Sequence, residues 1–331
     1  MHTIALRSGK NFRIESGVSI LDGAARQAIS LPYSCKTGRC STCKCKVIAG
    51  ETEVLQEEVG LSVTEKADGW ILSCVRTALT DLSVDLEDLA GVILPDHKTL
   101  PCRINSIDKL APDVVRILLR LPPTAEFTFI PGQYIDLIGD SGVRRSYSLA
   151  NSSFAGKQLE LHIRAVNGGA MSQYWFWQAK PNDLLHLSGP HGTFFLRDVA
   201  GLDLVLLATG TGIAPIKAIL ESMLDVAAEK LPRSVTVLWG GRTPQDLYFD
   251  VAGIPGRFNF VPVLSRADKQ WTGARGYVQQ ALLTVLPDLS QAAVYACGSD
   301  VMIRDAQTTL TAAGLAGHRF YSDAFVCSAT I

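Results

Sequence analysis

The chain has 331 residues and a hydrophobic share of 47%, enough for two or three packed domains. Its 31 Lys and Arg against 32 Asp and Glu leave a formal charge of −1, which argues against a nucleic-acid binder or a protein held on an anionic membrane. No apolar run reaches the roughly 20 residues of a membrane span. No basic-then-apolar leader opens the chain, and its eight cysteines do not form a small secreted disulfide framework. A soluble, cytoplasmic protein is expected.

In chain order, Thr3–Leu6 and Phe12–Ile14 read as short strands across Ser8-Gly9-Lys10-Asn11. Ser19–Ala28 reads as a helix, with Ile20, Leu21, Ala24, Ala25 and Ala28 at helical spacing. Cys35, Cys40 and Cys43 follow as Cys-x4-Cys-x2-Cys, with Cys74 further on. That is the ligand spacing of a plant-type 2Fe-2S cluster. Zinc sites, the alternative, usually show two Cys-x2-Cys pairs, and only one is present here. Gly38 lets the loop adopt backbone angles that other residues resist, and Ser41 and Thr42 add hydroxyl donors. Cys74 lies in Ile71-Leu72-Ser73-Cys74-Val75, which reads as strand. Together these elements suggest a β-grasp ferredoxin domain over residues 1–92. Residues 93–101, unpatterned and carrying two prolines, read as a linker.

Residues 102–198 contain short apolar or alternating runs at Val114–Leu121, Gln133–Ile138, Ser146–Ala150 and Leu159–Val166, punctuated by Gly and Pro. This is the pattern of an antiparallel β-barrel. Within it, Arg145-Ser146-Tyr147-Ser148 offers a cation for a pyrophosphate, an aromatic wall and a hydroxyl, the three things a flavin needs. Alternation places Arg145 and Tyr147 on one face and Ser148 on the other. Gly168-Gly169-Ala170-Met171-Ser172 follows a strand and opens a helix over 171–179, where free N–H groups favour a phosphate. The alternative is a glycine-rich turn with Ser172 as N-cap. Trp175, Phe176 and Trp177 read as core.

Residues 199–331 alternate strand and helix, which implies a parallel sheet with crossover helices. Leu204–Ala208 is an uninterrupted apolar strand, followed by Gly210-Thr211-Gly212 and a helix over 214–228. Pro215 stands where a dinucleotide fingerprint would have its last Gly, yet proline is tolerated in a first helical turn. Val235–Trp239, Asn259–Leu264 and Ala293–Cys297 read as further strands. Cys297 and Gly298 fall at a strand's carboxyl end, where ligands of open α/β sheets bind. Arg242 after the second strand suits a 2′-phosphate, and nearby Asp246 argues instead for NADH. Cys45, Cys102 and Cys327 read as structural thiols.

Taken together, these motifs resemble the ferredoxin–NAD⁺ reductase superfamily, in the group with an N-terminal 2Fe-2S domain, over the whole chain. The resemblance implies Cys35, Cys40, Cys43 and Cys74 as cluster ligands, and Arg145, Tyr147 and Ser148 as the flavin signature. It implies Gly169, Met171 and Ser172 at the FAD pyrophosphate, and Gly210, Thr211, Gly212 and Pro215 as the nicotinamide-nucleotide loop. Cys297 and Gly298 would lie near the nicotinamide, and Phe325, or else Tyr321, would cover the flavin. Ser148, Cys297 and Phe325 are the implied catalytic residues of a relay from NADH through FAD and the cluster to an acceptor. Within the group, Leu121–Ala125, Gly132–Leu137, Gly192–Phe195, Tyr295–Ser299 and Tyr321–Val326 are similar to the reductases of CDP-3,6-dideoxyhexose synthesis. These imply a pyridoxamine-phosphate dehydratase as partner, docked near the cluster. Gly168–Ser172 is similar to the reductase components of multicomponent aromatic or alkane oxygenases, which leaves an oxygenase as the alternative partner.

Overall fold

Alternating burial along the first strands sets the architecture of the N-terminal unit: Ile4, Leu6, Phe12 and Ile14 all point to one core. The computed structural model describes residues 1–139, 142–153 and 157–326, in two units, Met1–Leu94 with Val326, and Pro95–Phe325. The first unit holds β1 (His2–Leu6), β2 (Asn11–Ile14), α1 (Ile20–Ala25), β3 (Lys44–Ala49), β4 (Thr52–Val54), α2 (Val63–Ala67), β5 (Trp70–Leu72), β6 (Arg76–Ala78) and β7 (Leu82–Asp85). Its main sheet has the order β2-β1-β7-β3-β5, with β1 and β7 parallel and the other pairs antiparallel. This mixed sheet with one packed helix is the β-grasp expected. The helix is shorter than its apolar spacing suggested. Ser19 caps its start by accepting from Asp22 N–H, and Ala28 has turned to φ 57, which ends helical propagation. A capping box of Ser62 and Glu65 starts α2.

In the second unit, β8 (Lys98–Ala111), β9 (Val114–Arg120), β10 (Tyr134–Ile138), β11 (Arg144–Ser148), β12 (Gln158–Arg164) and β13 (Leu184–His191) form an antiparallel sheet of order β11-β10-β13-β8-β9-β12. An antiparallel bridge between Leu149 and Leu161 joins its two edges, so the sheet closes on itself as a barrel. Ile104, Ile117, Leu119, Ile135 and Leu187 fill the interior. β8 begins at Lys98, inside the stretch expected as linker. Pro101 is accommodated because residues 98–102 pair only with β13; pairing with β9 begins at Arg103. The helix expected over 171–179 is a four-residue α3 (Ala170–Gln173) that widens into a π-turn over Tyr174–Gln178.

The rest of the unit is a parallel sheet. Its strands are β14 (Asp203–Thr209), β15 (Ser234–Gly241), β16 (Asn259–Leu264), β17 (Ala274–Arg275), β18 (Ala292–Ser299) and β19 (Phe320–Phe325), with helices α4 (Ile213–Ser222), α5 (Val278–Val285) and α6 (Asp300–Ala312). The order β17-β16-β15-β14-β18-β19 places β14 at the centre, buried along Asp203–Ala208, as its apolar run requires. β14 stands beside both β15 and β18, so the order reverses there, and the crevice at its carboxyl end is the expected ligand position. Among the described residues, no helix is long and apolar enough to cross a membrane. Cys327 lies outside the described residues.

Candidate functional site: paired thiols and a cofactor cleft

Four sulfurs meet in the first unit as two pairs. Cys43 Sγ lies 3.2 Å from Cys74 Sγ. Cys35 and Cys40 are joined by a thiol–thiol hydrogen bond, and Cys35 N–H also donates to Cys40 Sγ at 3.4 Å. The bond from Cys40 holds the Cys35 thiol down at about 5, while the same bond and burial push Cys40 up. Cys74 is lowered by its bond to Cys43, and Cys43 is raised. Among the described residues no three potential ligands converge as a mononuclear site would require. Two pairs of thiols suit a 2Fe-2S group, which Cys35, Cys40, Cys43 and Cys74 would hold. Ser73 Oγ, buried beside Cys74, has no hydrogen-bond partner, an orphan that a cluster sulfur would satisfy. The donor set therefore fits a 2Fe-2S group. One expectation is corrected. Cys74 is not on a strand but in the turn between β5 and β6, closed by Val75 N–H donating to the Leu72 carbonyl at 3.1 Å. Cys45, by contrast, is wholly buried, and burial pushes its thiol up to about 12.

On the barrel, Arg145 and Tyr147 share one face of β11 and Ser148 is buried on the other, paired with Tyr134. Tyr147 OH accepts from Trp175 Nε1 at 3.0 Å, and the two rings meet edge to face. Burial pushes the phenol up to about 12, so it stays neutral and keeps its ring fixed. Arg145 donates to the Arg144 carbonyl and has no carboxylate partner among the described residues. Gly169 begins α3 without a side-chain cap, which leaves N–H groups free. Ser172 is not the N-cap: its Oγ accepts from Val166 N–H at 2.8 Å and braces the turn from behind. Met171 is buried in the barrel core, so only its backbone can face a ligand. An uncompensated cation and an uncapped helix start fit a pyrophosphate. Of the three aromatics expected as core, Trp175 is buried, Phe176 packs against the barrel core, and Trp177 is 76% exposed because the π-turn rotates it outward.

At the carboxyl edge of the parallel sheet, two motifs distant in sequence touch. Ala208 pairs with Cys297, so Gly210-Thr211-Gly212 and Cys297-Gly298 lie side by side. A Cβ on Gly212 would overlap the Cys297 carbonyl, and one on Gly298 would overlap Thr209 Oγ1. A 3-10 turn over Gly210–Gly212, uncapped by any side chain at Thr209, leads into α4, and Pro215 is buried in that helix's first turn. Close backbone approach beside free N–H groups fits a dinucleotide pyrophosphate. The Cys297 side chain is wholly buried in the core of the parallel sheet, and burial pushes its thiol well up, so it is a neutral thiol and not a thiolate. Tyr321 stacks on Tyr295 at 4.6 Å between centroids. Phe325 is 38% exposed at the end of β19, in register with Ser299, beyond the Cys297–Asp323 pair.

The sequence reading missed the residues that join barrel to sheet. Arg164 NH2 donates to Asp246 Oδ1 at 3.1 Å, and its guanidinium lies against Gly210. Asp246 Oδ2 accepts from Arg242 N–H and Thr243 N–H at 2.9 and 3.0 Å. Asp246 is therefore a turn former, with each of its oxygens already accepting from the protein. Arg242 itself is exposed. Beside this pair, His162 Nε2 donates to Glu160 Oε1 at 2.9 Å, because a carboxylate can only accept, which leaves Nδ1 to accept from Tyr248 OH at 3.1 Å. Lys217 Nζ reaches Glu160 Oε2 at 3.2 Å and the Ala150 carbonyl at 2.9 Å. The one available signal was the polar alternation Glu160, His162, Arg164 on an otherwise apolar strand.

Three known families cover this arrangement: a 2Fe-2S iron-sulfur cluster binding domain over residues 4–79, an oxidoreductase FAD-binding domain over 101–196 and an oxidoreductase NAD-binding domain over 206–308. The CDP-6-deoxy-L-threo-D-glycero-4-hexulose-3-dehydrase reductase of Yersinia pestis is 40% identical, with 97% of each chain covered. The chain belongs to the iron–sulfur flavoprotein reductases of the ferredoxin–NAD⁺ reductase superfamily. Another member of these reductases, the xylene/toluene monooxygenase electron transfer component XylA of Pseudomonas putida, is 32% identical over 98% of this chain and 93% of its own. Among solved structures, the Amycolatopsis cytochrome P450 reductase GcoB matches with a TM-score of 0.73 and 30% identity, over 98% of this chain and 99% of that one. The reductase is thus an oxidoreductase with NAD, FAD and 2Fe-2S domains.

The buried histidine gives this reductase a testable pH dependence. Burial depresses the His162 imidazole below its ordinary 6.5, against the opposing bond to Glu160. As pH falls below that value the unfolded chain takes up the proton first, so stability is lost on acidification. Thermal melts between pH 7 and 5 should show the His162→Gln protein losing stability less steeply, by up to about 1.4 kcal/mol per pH unit.

Proposed function

We propose that this reductase passes electrons from NADH, through FAD and a 2Fe-2S cluster, to a separate acceptor enzyme, a pyridoxamine-phosphate dehydratase of CDP-3,6-dideoxyhexose synthesis. The single observation that carries the relay is the two-by-two approach of the thiols, Cys35 with Cys40 and Cys43 with Cys74. When bound, the nicotinamide supplies a hydride, the flavin converts a two-electron donor to one-electron steps, and the cluster carries single electrons. The acceptor is supported by the 40% identity, end to end, to a protein named as a dehydrase reductase.

The chain's own residues have the following parts. Cys35, Cys40, Cys43 and Cys74 hold the cluster as thiolates. Arg145 and the N–H groups after Gly169, at Met171 and Ser172, hold the FAD pyrophosphate, and Tyr147 supports the flavin with its ring fixed by Trp175. Ser148 donates a hydrogen bond at the flavin edge. Gly210, Thr211, Gly212 and Gly298 allow the nucleotide backbone to approach, with Pro215 fixing the start of α4. Cys297 supplies neutral packing at the nicotinamide. Phe325 covers the flavin and moves aside for the nucleotide. This choice over Tyr321 is supported by the stacking that already occupies Tyr321. The alternative acceptor, an oxygenase, is favoured by the match to a monooxygenase electron transfer component over nearly the whole chain.

Three measurements test this reading. Combining the reductase with NADH, the dehydratase and a CDP-4-keto-6-deoxyhexose under anaerobic conditions should yield the 3-deoxy product; cytochrome c reduction without product would transfer the proposal to an oxygenase. Cys74→Ser should abolish the normal cluster spectrum and most cytochrome c reduction, while NADH still bleaches the flavin. The kcat/KM for NADH should exceed that for NADPH; the reverse order would assign exposed Arg242 to a 2′-phosphate.

A further inference from the structure

We propose that Glu58 is a positioning residue for Cys74, an inference that rests on Cys74 being a cluster ligand. Glu58 is a carboxylate only 2% exposed. Its Oε1 accepts from Leu72 N–H at 2.7 Å and its Oε2 from Arg76 NH2 at 2.8 Å. Those two residues stand two before and two after Cys74, so one side chain grips both sides of the turn that presents the thiol. The segment carrying Glu58 is tied equally to the cysteine loop. Gly60 N–H donates to the Gly38 carbonyl at 2.8 Å, and Ser41 Oγ donates to the Gly60 carbonyl at 2.6 Å. Gly38, at φ +71, leaves so little room that a Cβ there would sit 2.6 Å from the Glu57 carbonyl. Residues 57–60 therefore act as a splint between the loop that carries Cys35, Cys40 and Cys43 and the turn that carries Cys74.

The bland alternative is an ion pair that merely fills the core. Two features argue against it. A buried carboxylate and guanidinium stabilise a fold no better than well-packed apolar residues of similar volume. This pair is not even fully satisfied, since buried Arg76 Nε has no acceptor. What an apolar pair could not supply is an acceptor for Leu72 N–H at the entry to the Cys74 turn.

The test uses the full-length protein carrying its cluster. Glu58→Leu should release iron to a chelator about 10- to 100-fold faster than wild type, the range for lost supporting bonds around a metal ligand, with altered electron paramagnetic resonance g-values. Glu58→Gln keeps an acceptor for Leu72 N–H but leaves the Arg76 charge uncompensated. Its release rate should stay near wild type while its midpoint potential rises, because a nearby cation favours the reduced, more negative cluster. The double variant E58M/R76M, which remains informative if Glu58→Leu fails to fold, removes the charge pair as a unit. It should melt at or above the wild-type temperature and still release iron faster. Wild-type release rate and g-values in the double variant, or a lowered melting temperature in Glu58→Leu with cluster properties unchanged, would overturn the positioning role. A native cluster spectrum in Cys74→Ser would instead overturn the ligand assignment beneath it.

Discussion

The approach of Cys43 to Cys74 is the constraint on which the N-terminal unit depends, and it is a consequence of strand register. β3 and β5 run antiparallel with Lys44 opposite Leu72 and Cys45 opposite Ile71. Extending that register by one residue sets Cys43 against Ser73, and Ser73 N–H indeed donates to the Cys43 carbonyl at 3.1 Å. The chain then turns and Cys74 arrives beside Cys43. A one-residue slip would send the thiol to the opposite face. The register that buries Cys45, Ile71 and Leu72 therefore also fixes the spacing of the sulfurs.

In the second unit the corresponding constraint is a polar seam. Glu160, His162 and Arg164 project from one barrel strand toward Lys217, Tyr248 and Asp246 of the parallel-sheet half. Burying so many ionisable groups is costly unless each finds a partner, and the carboxylates of Glu160 and Asp246 are bonded on both oxygens. Such a seam is directional where an apolar one is not. It sets barrel and sheet at one orientation and brings the Arg164 guanidinium against Gly210, at the start of the loop after β14.

Much of this was legible in the sequence, for identifiable reasons. The apolar run of β14 and the Gly-rich loop after it announce a central parallel strand, and the cysteine spacing announces the cluster. β13 was missed because His186, His191 and the Gly189-Pro190 pair break its alternation, although Leu185 and Leu187 are buried in the barrel. β8 was missed because its charged outer face hides an inward pattern of Cys102 and Ile104. Cys74 reads as strand in the sequence because Ile71, Leu72 and Val75 are β-formers, and no local signal reveals the turn that Val75 N–H closes on the Leu72 carbonyl. In the sequence, Asp246 beside Arg242 argues only against a 2′-phosphate. Only its bonds to Arg164, Arg242 and Thr243 reveal a structural task.

The two ends of the relay use opposite physical strategies, and this explains why their sequence signals differ in clarity. The cluster end depends on side chains: four sulfurs, brought together as two pairs. The nucleotide end depends on missing side chains. Gly212 and Gly298 matter for the atoms they lack, since the Cys297 carbonyl and Thr209 Oγ1 occupy the space a Cβ would take. A thiolate announces itself by residue type at a fixed spacing, whereas a glycine at a close approach looks like any loop glycine until its neighbour is known. Side-chain ligation constrains residue type at each position but survives small backbone shifts through rotamer adjustment. Backbone recognition tolerates changes in most neighbouring side chains but not a shift of the strands that bring the two loops together. The register of Ala208 with Cys297 is what holds the two loops side by side.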